Sequence, residues 1–362
     1  MPHASKIPLR SDAKFGELAD KLRALVTGGA FAPGERLPTW DVLCGQFNVQ
    51  RPTLKRALDI IKAEGFVEAD STRATLVAEK PPHLNRFVML FPSSPQKHGA
   101  GGWNLFWDAL AKRAAVVAKE RGISIDVFFN VSAHPDCEAY HGALRDFAKK
   151  RMAGLLVVNG GELFNLTPAG TVPVVHIGTD VSMAAPSVWL DWEAFHNSAA
   201  ELLLKAGRRR IAVLAEKPCD AAKCAAALAR HGVEVPPKWM LSAPGMAPEY
   251  ARNTARLLAA KGSRGIPDAL LVTDDNLVPE AALGLMDEGR RIPSEIMVLG
   301  HCNWPDPPPL PAPVVRLGFP SDEMLRKALE LAAKNAGAGV GAARRRVRGF
   351  DNFPVKPITN GE

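Results

Sequence analysis

A stripe of basic side chains on one predicted helix is the first feature of this sequence that suggests a chemistry. Apolar residues recur at helical spacing from about residue 50 to 64, and Gly65 is placed to end the helix. The two faces would be Leu54, Ala57, Leu58 and Ile61 against Arg51, Lys55, Arg56, Asp59 and Lys62. Arginine binds a guanine edge with two hydrogen bonds, and lysine binds bases or phosphates. The stripe therefore predicts a nucleic-acid contact, and the alternative is an ordinary solvated helix face.

The segments around this helix favour the nucleic-acid interpretation. An amphipathic helix precedes it and ends at Gly28-Gly29, and Thr39 is placed to begin a short second helix. Two short strands, at 66–68 and 75–77, flank a polar turn. This order of elements, two helices followed by a basic helix and a hairpin, is that of a winged helix-turn-helix. We expect this domain over residues 1–79. In that motif the start of the basic helix enters the major groove of DNA.

Composition limits the class of protein without deciding it. The chain has 362 residues, a formal charge of +7 and 47% hydrophobic residues, enough for two or three domains with their own cores. Residues 1–85 hold twelve Lys/Arg and ten Asp/Glu, so net charge supports nucleic-acid binding only weakly. The five cysteines include no C-x-x-C pair and suit neither a disulfide framework nor a zinc site. Without an apolar leader or a run of about 20 apolar residues, we expect a cytoplasmic protein that makes no membrane contact.

Beyond a proline-containing linker at 80–85, strands and helices alternate. Near-continuous apolar runs predict buried strands at 86–91, 123–129, 154–158, 173–177, 210–215, 269–273 and 296–299. Helical patterns lie between most of them, which predicts parallel sheets with helices on both faces. Residues 86–362 are too many for one such domain. We therefore expect an α/β fold with two doubly wound lobes, the first from 86–180 and 319–362 and the second from 187–316.

Polar and aromatic side chains follow several of these strands. Ligands of open α/β sheets bind at the carboxyl ends of the strands, so strand-end residues are candidates for a pocket between the lobes. Aromatic residues after the first strand are predicted to form a pocket wall on which a ring of the ligand stacks. For each of them, the alternative is burial in the core of the lobe. One of Asp274 and Asp275 is expected to cap the next helix and the other to face the pocket. The predicted ligand-binding residues are Trp103, Phe106, Trp107, Asn159, Asp274, Asp275, His301, Asn303 and Trp304.

The N-terminal segment resembles the winged helix-turn-helix of the GntR family of bacterial regulators. The motifs are GGAFAPGERLPT at 28–39, FNVQRPTLKRAL at 47–58 and EGFV at 64–67. The resemblance covers about residues 11–78 and implies a DNA-binding dimer. Thr39 is expected to bind a phosphate, and Arg73 in the hairpin turn a phosphate or the minor groove. The predicted DNA-binding residues are Thr39, Gln50, Arg51, Thr53, Lys55, Arg56 and Arg73.

Four positions depart from the GntR pattern. Gln50 stands where the family has serine, which removes a preferred helix cap. Lys55 stands where arginine is usual, so a two-hydrogen-bond contact becomes a point-charge contact. Trp40-Asp41 replaces the usual Glu-Arg. We therefore expect an operator sequence that is atypical of the family.

The rest of the chain resembles the sensor domain of the LacI/GalR family, which shares its fold with periplasmic sugar-binding proteins. The resemblance rests on short motifs in order over 86–335, among them FWDAL at 106–110, PDALLVTDD at 267–275 and GRRIPSEIMVLG at 289–300. A GntR-type winged helix-turn-helix joined to such a sensor domain resembles the arabinose-responsive repressors. The resemblance implies a homodimeric repressor, without a cofactor, whose affinity for double-stranded operator DNA responds to a sugar or related metabolite.

Two departures from the sugar-binding pattern leave the effector open. Relatives carry G-(F/Y)-D where this chain has Gly300-His301-Cys302, and the arginine expected near residue 220 is replaced by Cys219-Asp220. Either the ligand is not an ordinary monosaccharide, or the protein is a repressor that needs no ligand.

An enzyme and a solute-binding protein are the rival classes. The sequence has no G-x-S-x-G, H-E-x-x-H or phosphate-loop motif, and it is too short for a fused aminotransferase domain with pyridoxal phosphate. A binding protein for transport would need a signal peptide and would not carry the winged helix. The sequence therefore predicts a regulator without enzymatic activity.

Overall fold

The N-terminal segment folds as three helices and a hairpin. In the computed structural model, α1 spans Arg10–Thr27, α2 Trp40–Phe47 and α3 Arg51–Ala63, and the strands are β1, Val67–Ala69, and β2, Thr75–Val77. The two strands pair antiparallel. The winged helix-turn-helix expected from the sequence is confirmed, with element boundaries within a few residues of the predicted ones.

The structure describes most of the chain. The described residues are 10–70, 74–93, 104–132, 134, 136–159, 172–178, 186–245, 247–260, 262, 265–305, 307, 309–335 and 356–358. No helix within these ranges is both long enough and apolar enough to cross a membrane.

Two local features orient α3. Leu54, Ala57 and Ile61 have no exposed surface, and Leu58 is almost as deeply buried against the apolar residues of α1 and α2. Burial of a leucine or isoleucine side chain stabilises a fold by about 1.5–3 kcal/mol. Asn48, between α2 and α3, has φ 51°, in the left-handed region that asparagine tolerates. This sharp turn and the buried face leave the basic face of α3 toward solvent.

A five-stranded parallel sheet forms the first lobe, with strand order β4-β3-β5-β6-β7. The strands are β3 Arg86–Leu90, β4 Ser124–Phe128, β5 Gly154–Val158, β6 Val174–Gly178 and β7 Ser187–Trp189. Its helices are α5 Leu105–Arg121, α6 Glu138–Ala148 and α11 Ser321–Asn335. The central strand β5 is buried at every position, as expected where helices cover both faces of a sheet.

A six-stranded sheet forms the second lobe, with strand order β13-β12-β11-β10-β8-β9. The strands are β8 Ile211–Ala215, β9 Met240–Ser242, β10 Ala269–Val272, β11 Met297–Trp304, β12 Val315–Pro320 and β13 Lys356–Ile358. Its helices are α7 Trp192–Lys205, α8 Pro218–Arg230, α9 Glu249–Ala259 and α10 Val278–Asp287. The edge strand β13 runs antiparallel, so this sheet is mixed rather than entirely parallel as predicted.

The boundaries between the lobes differ from the predicted ones. Ser187–Trp189 was expected in the second lobe, but its backbone pairs with β6 of the first. Residues 319–362 were expected in the first lobe, but Lys356–Ile358 pairs with β12 of the second. Both segments are short, and the sheet that a short strand joins depends on the backbone beside it rather than on its own sequence. The chain therefore crosses between β7 and α7, again between β12 and α11, and a third time between α11 and β13.

The predicted linker at 80–85 is packed rather than extended. A short helix, α4, occupies Pro82–Asn85. The ring of His83 stacks on Phe66 of the winged helix with centroids 5.8 Å apart, and Lys80 Nζ donates to the backbone oxygen of Gly122 in the first lobe at 2.9 Å. The linker thus contacts both parts that it joins.

Candidate functional site

The basic face of α3 is exposed to solvent at the N-terminal end of the helix. Gln50 and Thr39 hold the N-cap positions of α3 and α2 with no side-chain hydrogen bond to the helix. Thr39 therefore caps α2 through its backbone alone, with Leu43 N–H donating to its carbonyl oxygen at 2.9 Å. Of the predicted DNA-binding residues, Arg73 lies outside the described residues, Thr53 is half-buried, and the exposed ones are Thr39, Gln50, Arg51, Lys55 and Arg56.

Two of these arginines have partners within the domain. Arg51 Nη2 donates to Asp41 Oδ1 on α2 at 2.7 Å, and this hydrogen bond is the main cause of a raised pKa of Arg51. The guanidinium of Arg56 lies 5.3 Å from the ring centroid of Phe15 on α1, within cation–π range. Arg51 is therefore paired with a carboxylate of α2, and Arg56 is directed toward α1 rather than toward the start of α3.

A cleft of about 580 Å³ lies between the lobes at the carboxyl ends of their strands. A cavity of this size accommodates a small-molecule ligand. Leu105 N–H in the first lobe donates to Asn276 Oδ1 in the second at 3.0 Å, so the lobes already contact each other across it. The predicted residues that line the cleft are Phe106, Trp107, Asn159, Asp274, Asp275 and His301.

Two described residues of the predicted ligand-binding set, Asn303 and Trp304, do not line the cleft. Trp103 lies outside the described residues. Asn303 and Trp304 were expected to follow a strand that ends at residue 299, but β11 continues to Trp304 in register with β12. Asn303 is therefore buried beneath the wall, where its Nδ2 donates to Asp275 Oδ2.

His301 lies at the floor of the cleft within an aromatic cluster. Its ring centroid is 5.1 Å from Trp192, 5.7 Å from Phe195 and 5.6 Å from Phe319. Burial lowers the pKa of His301 to about 3, so the imidazole is neutral at physiological pH. Trp192 begins α7, the helix after the first crossing between the lobes, and Phe319 is the penultimate residue of β12, the strand before the second crossing. His301 therefore packs against residues that flank two of the crossings between the lobes.

Asp274 and Asp275 form a carboxyl pair at the end of β10. Burial raises the pKa of Asp275 to about 8, with a further contribution from the charge of Asp274, and burial raises the pKa of Asp274 to about 6. Asp274 Oδ1 accepts hydrogen bonds from the backbone and side-chain nitrogens of Asn276 at 2.8 and 2.9 Å. The expected helix cap is not formed, since α10 has Leu277 at its N-cap and Asp274 closes the turn before it. Both carboxyl groups therefore belong to the cleft.

Sequence reasoning missed several residues of the cleft, from three segments. They are Asn104 at the start of α5, Trp192 and His196 on α7, and Glu216, Lys217, Cys219, Asp220 and Lys223 around the start of α8. The α8 group carries a recoverable signal, because it follows the carboxyl end of a predicted parallel strand. Trp192 and His196 carry none, because their spacing is that of any amphipathic helix.

Comparison with known proteins agrees with both parts of the chain. Residues 15–77 match the family described as bacterial regulatory proteins, gntR family. No curated protein sequence matches the chain significantly. A LacI family transcriptional regulator from Lactobacillus casei with bound sucrose has TM-score 0.55 and 16% identity, over 76% of this chain and 98% of that one.

Two further solved structures have the same fold. A sugar-binding transcriptional regulator of the LacI family from Escherichia coli, complexed with phosphate, has TM-score 0.54 and 19% identity over 75% of this chain and 96% of that one. The transcription regulator CcpA of Lactococcus lactis has TM-score 0.55 and 14% identity over 76% and 97%. The chain therefore joins a GntR-type DNA-binding domain to a two-lobed domain with the fold of LacI-family regulators.

Proposed function

We propose that this protein is a transcriptional repressor that binds operator DNA through α3 and changes its affinity when a small molecule occupies the cleft. The observation that carries the proposal is that α3 is buried on one face only. Its apolar face is enclosed, while Arg51 and Lys55 are exposed at its start. In a helix-turn-helix these positions meet base edges and phosphates. The protein acts where the DNA is, in the cytoplasm.

Gel shifts on operator fragments selected from the source genome test the DNA-binding role. Arg51→Ala should weaken specific binding by about 1–3 kcal/mol if Arg51 contacts a base. Lys55→Ala should weaken binding to all sequences and reduce its salt dependence. Lys62→Ala is the matched control, because Lys62 is an exposed lysine in the last turn of the same helix. Unchanged affinity in both test variants, or an equal loss in Lys62→Ala, would remove α3 as the reading helix.

The cleft supports a carbohydrate or related metabolite as the effector. The relatives from Lactobacillus casei were crystallised with sucrose and with glucose. Closure of the lobes around a ligand would reposition two winged helices, and a coupling of about 1–3 kcal/mol would change operator affinity roughly 5- to 150-fold. A thermal-shift screen followed by operator binding with and without each hit tests this step. A ligand that raises the melting temperature without altering operator affinity would contradict it.

We further propose that the protein is a homodimer paired through its lobes. Val116 on α5 and Phe128 on β4 are more than one-third exposed at one edge of the first sheet, and Met240 is similarly exposed on edge strand β9 of the second. A contiguous apolar patch is typical of a protein interface, and Val116 and Phe128 lie on adjoining elements. Sedimentation of the wild type against Val116→Asp with Phe128→Asp tests the assembly. A monomeric wild type, or a variant that remains dimeric, would contradict this interface.

A further inference from the structure

The charges of the cleft are unequally distributed between its rim and its floor. Glu216 and Lys217 are exposed at the rim, and Lys223 Nζ forms an ion pair with Asp220 at 3.1 Å. The floor holds Asp274 and Asp275. No arginine is among the described residues that line the cleft. The floor therefore offers two carboxyl groups and no cationic side chain, which disfavours an anionic ligand.

The carboxyl pair has no cationic partner among the described residues. Asp275 accepts from Asn303 Nδ2, and the nearest basic atom is His301 Nδ1 at 3.8 Å. His301 remains neutral because its burial disfavours the charged form. The remaining titratable neighbours of the pair are Glu216, whose charge acts on Asp274, and the buried thiol of Cys302, and neither supplies positive charge. Ionising both buried carboxyl groups without a cationic partner is costly, so the floor favours a ligand that supplies positive charge.

A second observation points to a ligand at the same place. The side chain of His301 is only 4% exposed, it lines the cleft, and neither ring nitrogen has a hydrogen-bond partner among the described residues. The buried indole nitrogen of Trp107, also in the cleft wall, lacks one as well. Buried polar groups of this kind are normally satisfied, and a bound ligand would satisfy them. Trp107 and Trp192 add aromatic faces, which favour both sugar rings and cations.

We propose that the effector carries a positively charged amine that pairs with Asp274 and Asp275, on a sugar or polyol framework lying between Trp107 and Trp192. This inference rests on the proposed role of the cleft as effector site and specifies the chemistry of the effector. His301 and the Trp107 indole would hydrogen-bond its hydroxyl groups. The amine supplies the cationic partner that the floor lacks.

Binding of such a ligand has a defined proton balance. The pKa of Asp275, about 8, means that its carboxyl group is mostly protonated at neutral pH. The ammonium group stabilises the carboxylate, so the Asp275 proton passes to the solvent while the ligand keeps its own. Net proton release on binding is therefore expected at neutral pH. A neutral sugar would release none.

Calorimetry of the full-length protein at neutral pH, in two buffers of different ionisation enthalpy, measures affinity and proton release together. The ligands are three matched sets: glucosamine with N-acetylglucosamine and glucose, galactosamine with N-acetylgalactosamine and galactose, and N-methylglucamine with sorbitol. At least one amine should bind about tenfold or more tightly than its neutral counterparts and release protons. Asp275→Asn and Asp274→Asn should each abolish that preference, whereas Glu201→Gln, on the exposed side of α7, should preserve it.

The outcomes separate this inference from the proposed function. Tighter binding of a neutral counterpart, binding without proton release, or no binding by any amine of the panel would overturn it. If a neutral sugar binds and changes operator affinity, the proposed function stands and the amine is wrong. Failure of the proposed DNA-binding role would instead appear in the gel shifts with Arg51→Ala, which do not depend on the effector. Proton release is measured on the wild type, so the test holds even where an Asp275 variant folds poorly.

Discussion

Glu64, which caps the C-terminal end of α3, forms an ion pair with Arg151, the residue that lies just before β5 of the first lobe. Arg23 of α1 donates to the same carboxylate at 2.7 Å, and Arg151 also contacts Asp146 at 3.3 Å. Both Glu64 and Arg23 are almost completely buried. The helix proposed to read DNA is therefore fastened at its far end to the lobe that forms one wall of the cleft.

Arg151→Ala should loosen this attachment without unfolding the winged helix, because Glu64 keeps its contact with Arg23. We expect the free energy of unfolding to fall by about 1.5–3 kcal/mol, the usual contribution of hydrogen bonds to charged groups. Proteolysis at residues 78–81 should become faster, and operator affinity should respond less to the effector. Arg121→Ala, which removes an ion pair between α5 and Glu330 within the lobe, is the control. Equal behaviour of the two variants would mean that the Glu64 contact does not couple the domains.

Asp41→Ala should strengthen DNA binding. The carboxylate holds Arg51 at 2.7 Å and would lie near the phosphates of bound DNA, so its removal frees the arginine and reduces repulsion. Since exposed ion pairs contribute about 0.2–1 kcal/mol, we expect a gain of up to roughly fivefold in affinity by fluorescence anisotropy. Glu17→Ala removes the same charge from the exposed side of α1 and should have a smaller effect. Weaker binding of Asp41→Ala would indicate that Asp41 orients Arg51 for the DNA.

The stability of the ligand-free protein should fall as pH rises from 6.5 to 8. The pKa of Asp275 is raised to about 8 from its ordinary value of 3.8, so the folded state binds more protons than the unfolded state across this interval. Its contribution to stability is therefore complete at low pH and is lost as pH rises through the folded pKa. His196 and His301, whose pKa values burial lowers to about 4 and about 3, act in the opposite sense only below 6.5.

Melting temperatures of the wild type and Asp275→Asn across that pH interval measure this effect. The wild type should lose stability more steeply, and the variant should have the higher melting temperature at pH 8. Glu201→Gln should follow the wild type. Parallel curves for wild type and Asp275→Asn would show that Asp275 is ionised in the folded state without a ligand.

Gly318→Ala should destabilise the second lobe. A Cβ at this position of β12 would overlap the backbone oxygen of Cys302 on β11, and backbone cannot move aside as a flexible side chain can. We expect a loss of about 1–3 kcal/mol in thermal or denaturant unfolding. Gly16→Ala is a control of opposite sign, because Gly16 lies in α1 with no atom near its Cβ position and alanine favours a helix by about 0.8–1 kcal/mol over glycine. Equal stability of Gly318→Ala and the wild type would contradict the close approach of β11 and β12.

Local sequence pattern was sufficient to predict which faces of a helix or strand are buried. The spacing of Leu54, Leu58 and Ile61 determines which face of α3 is buried, and this in turn leaves Arg51 and Lys55 exposed. The same holds for strands such as β5, where continuous apolar residues require cover on both faces. Strand-end reasoning located Asp274, Asp275 and His301 because the carboxyl ends of parallel strands meet at one edge of a sheet.

Tertiary structure alone decided the contacts between elements that are distant in sequence. Nothing in the spacing around Asp41 or Glu64 indicates that they pair with Arg51 and Arg151, since each pair forms only when two elements dock. Trp192 enters the cleft because the chain crosses between lobes just before it. Periodicity reports whether a side chain is buried, because burial requires only an apolar surface somewhere opposite. Which residue lies opposite depends on the packing of the whole fold, and the floor of the cleft and the attachment of α3 are properties of that packing.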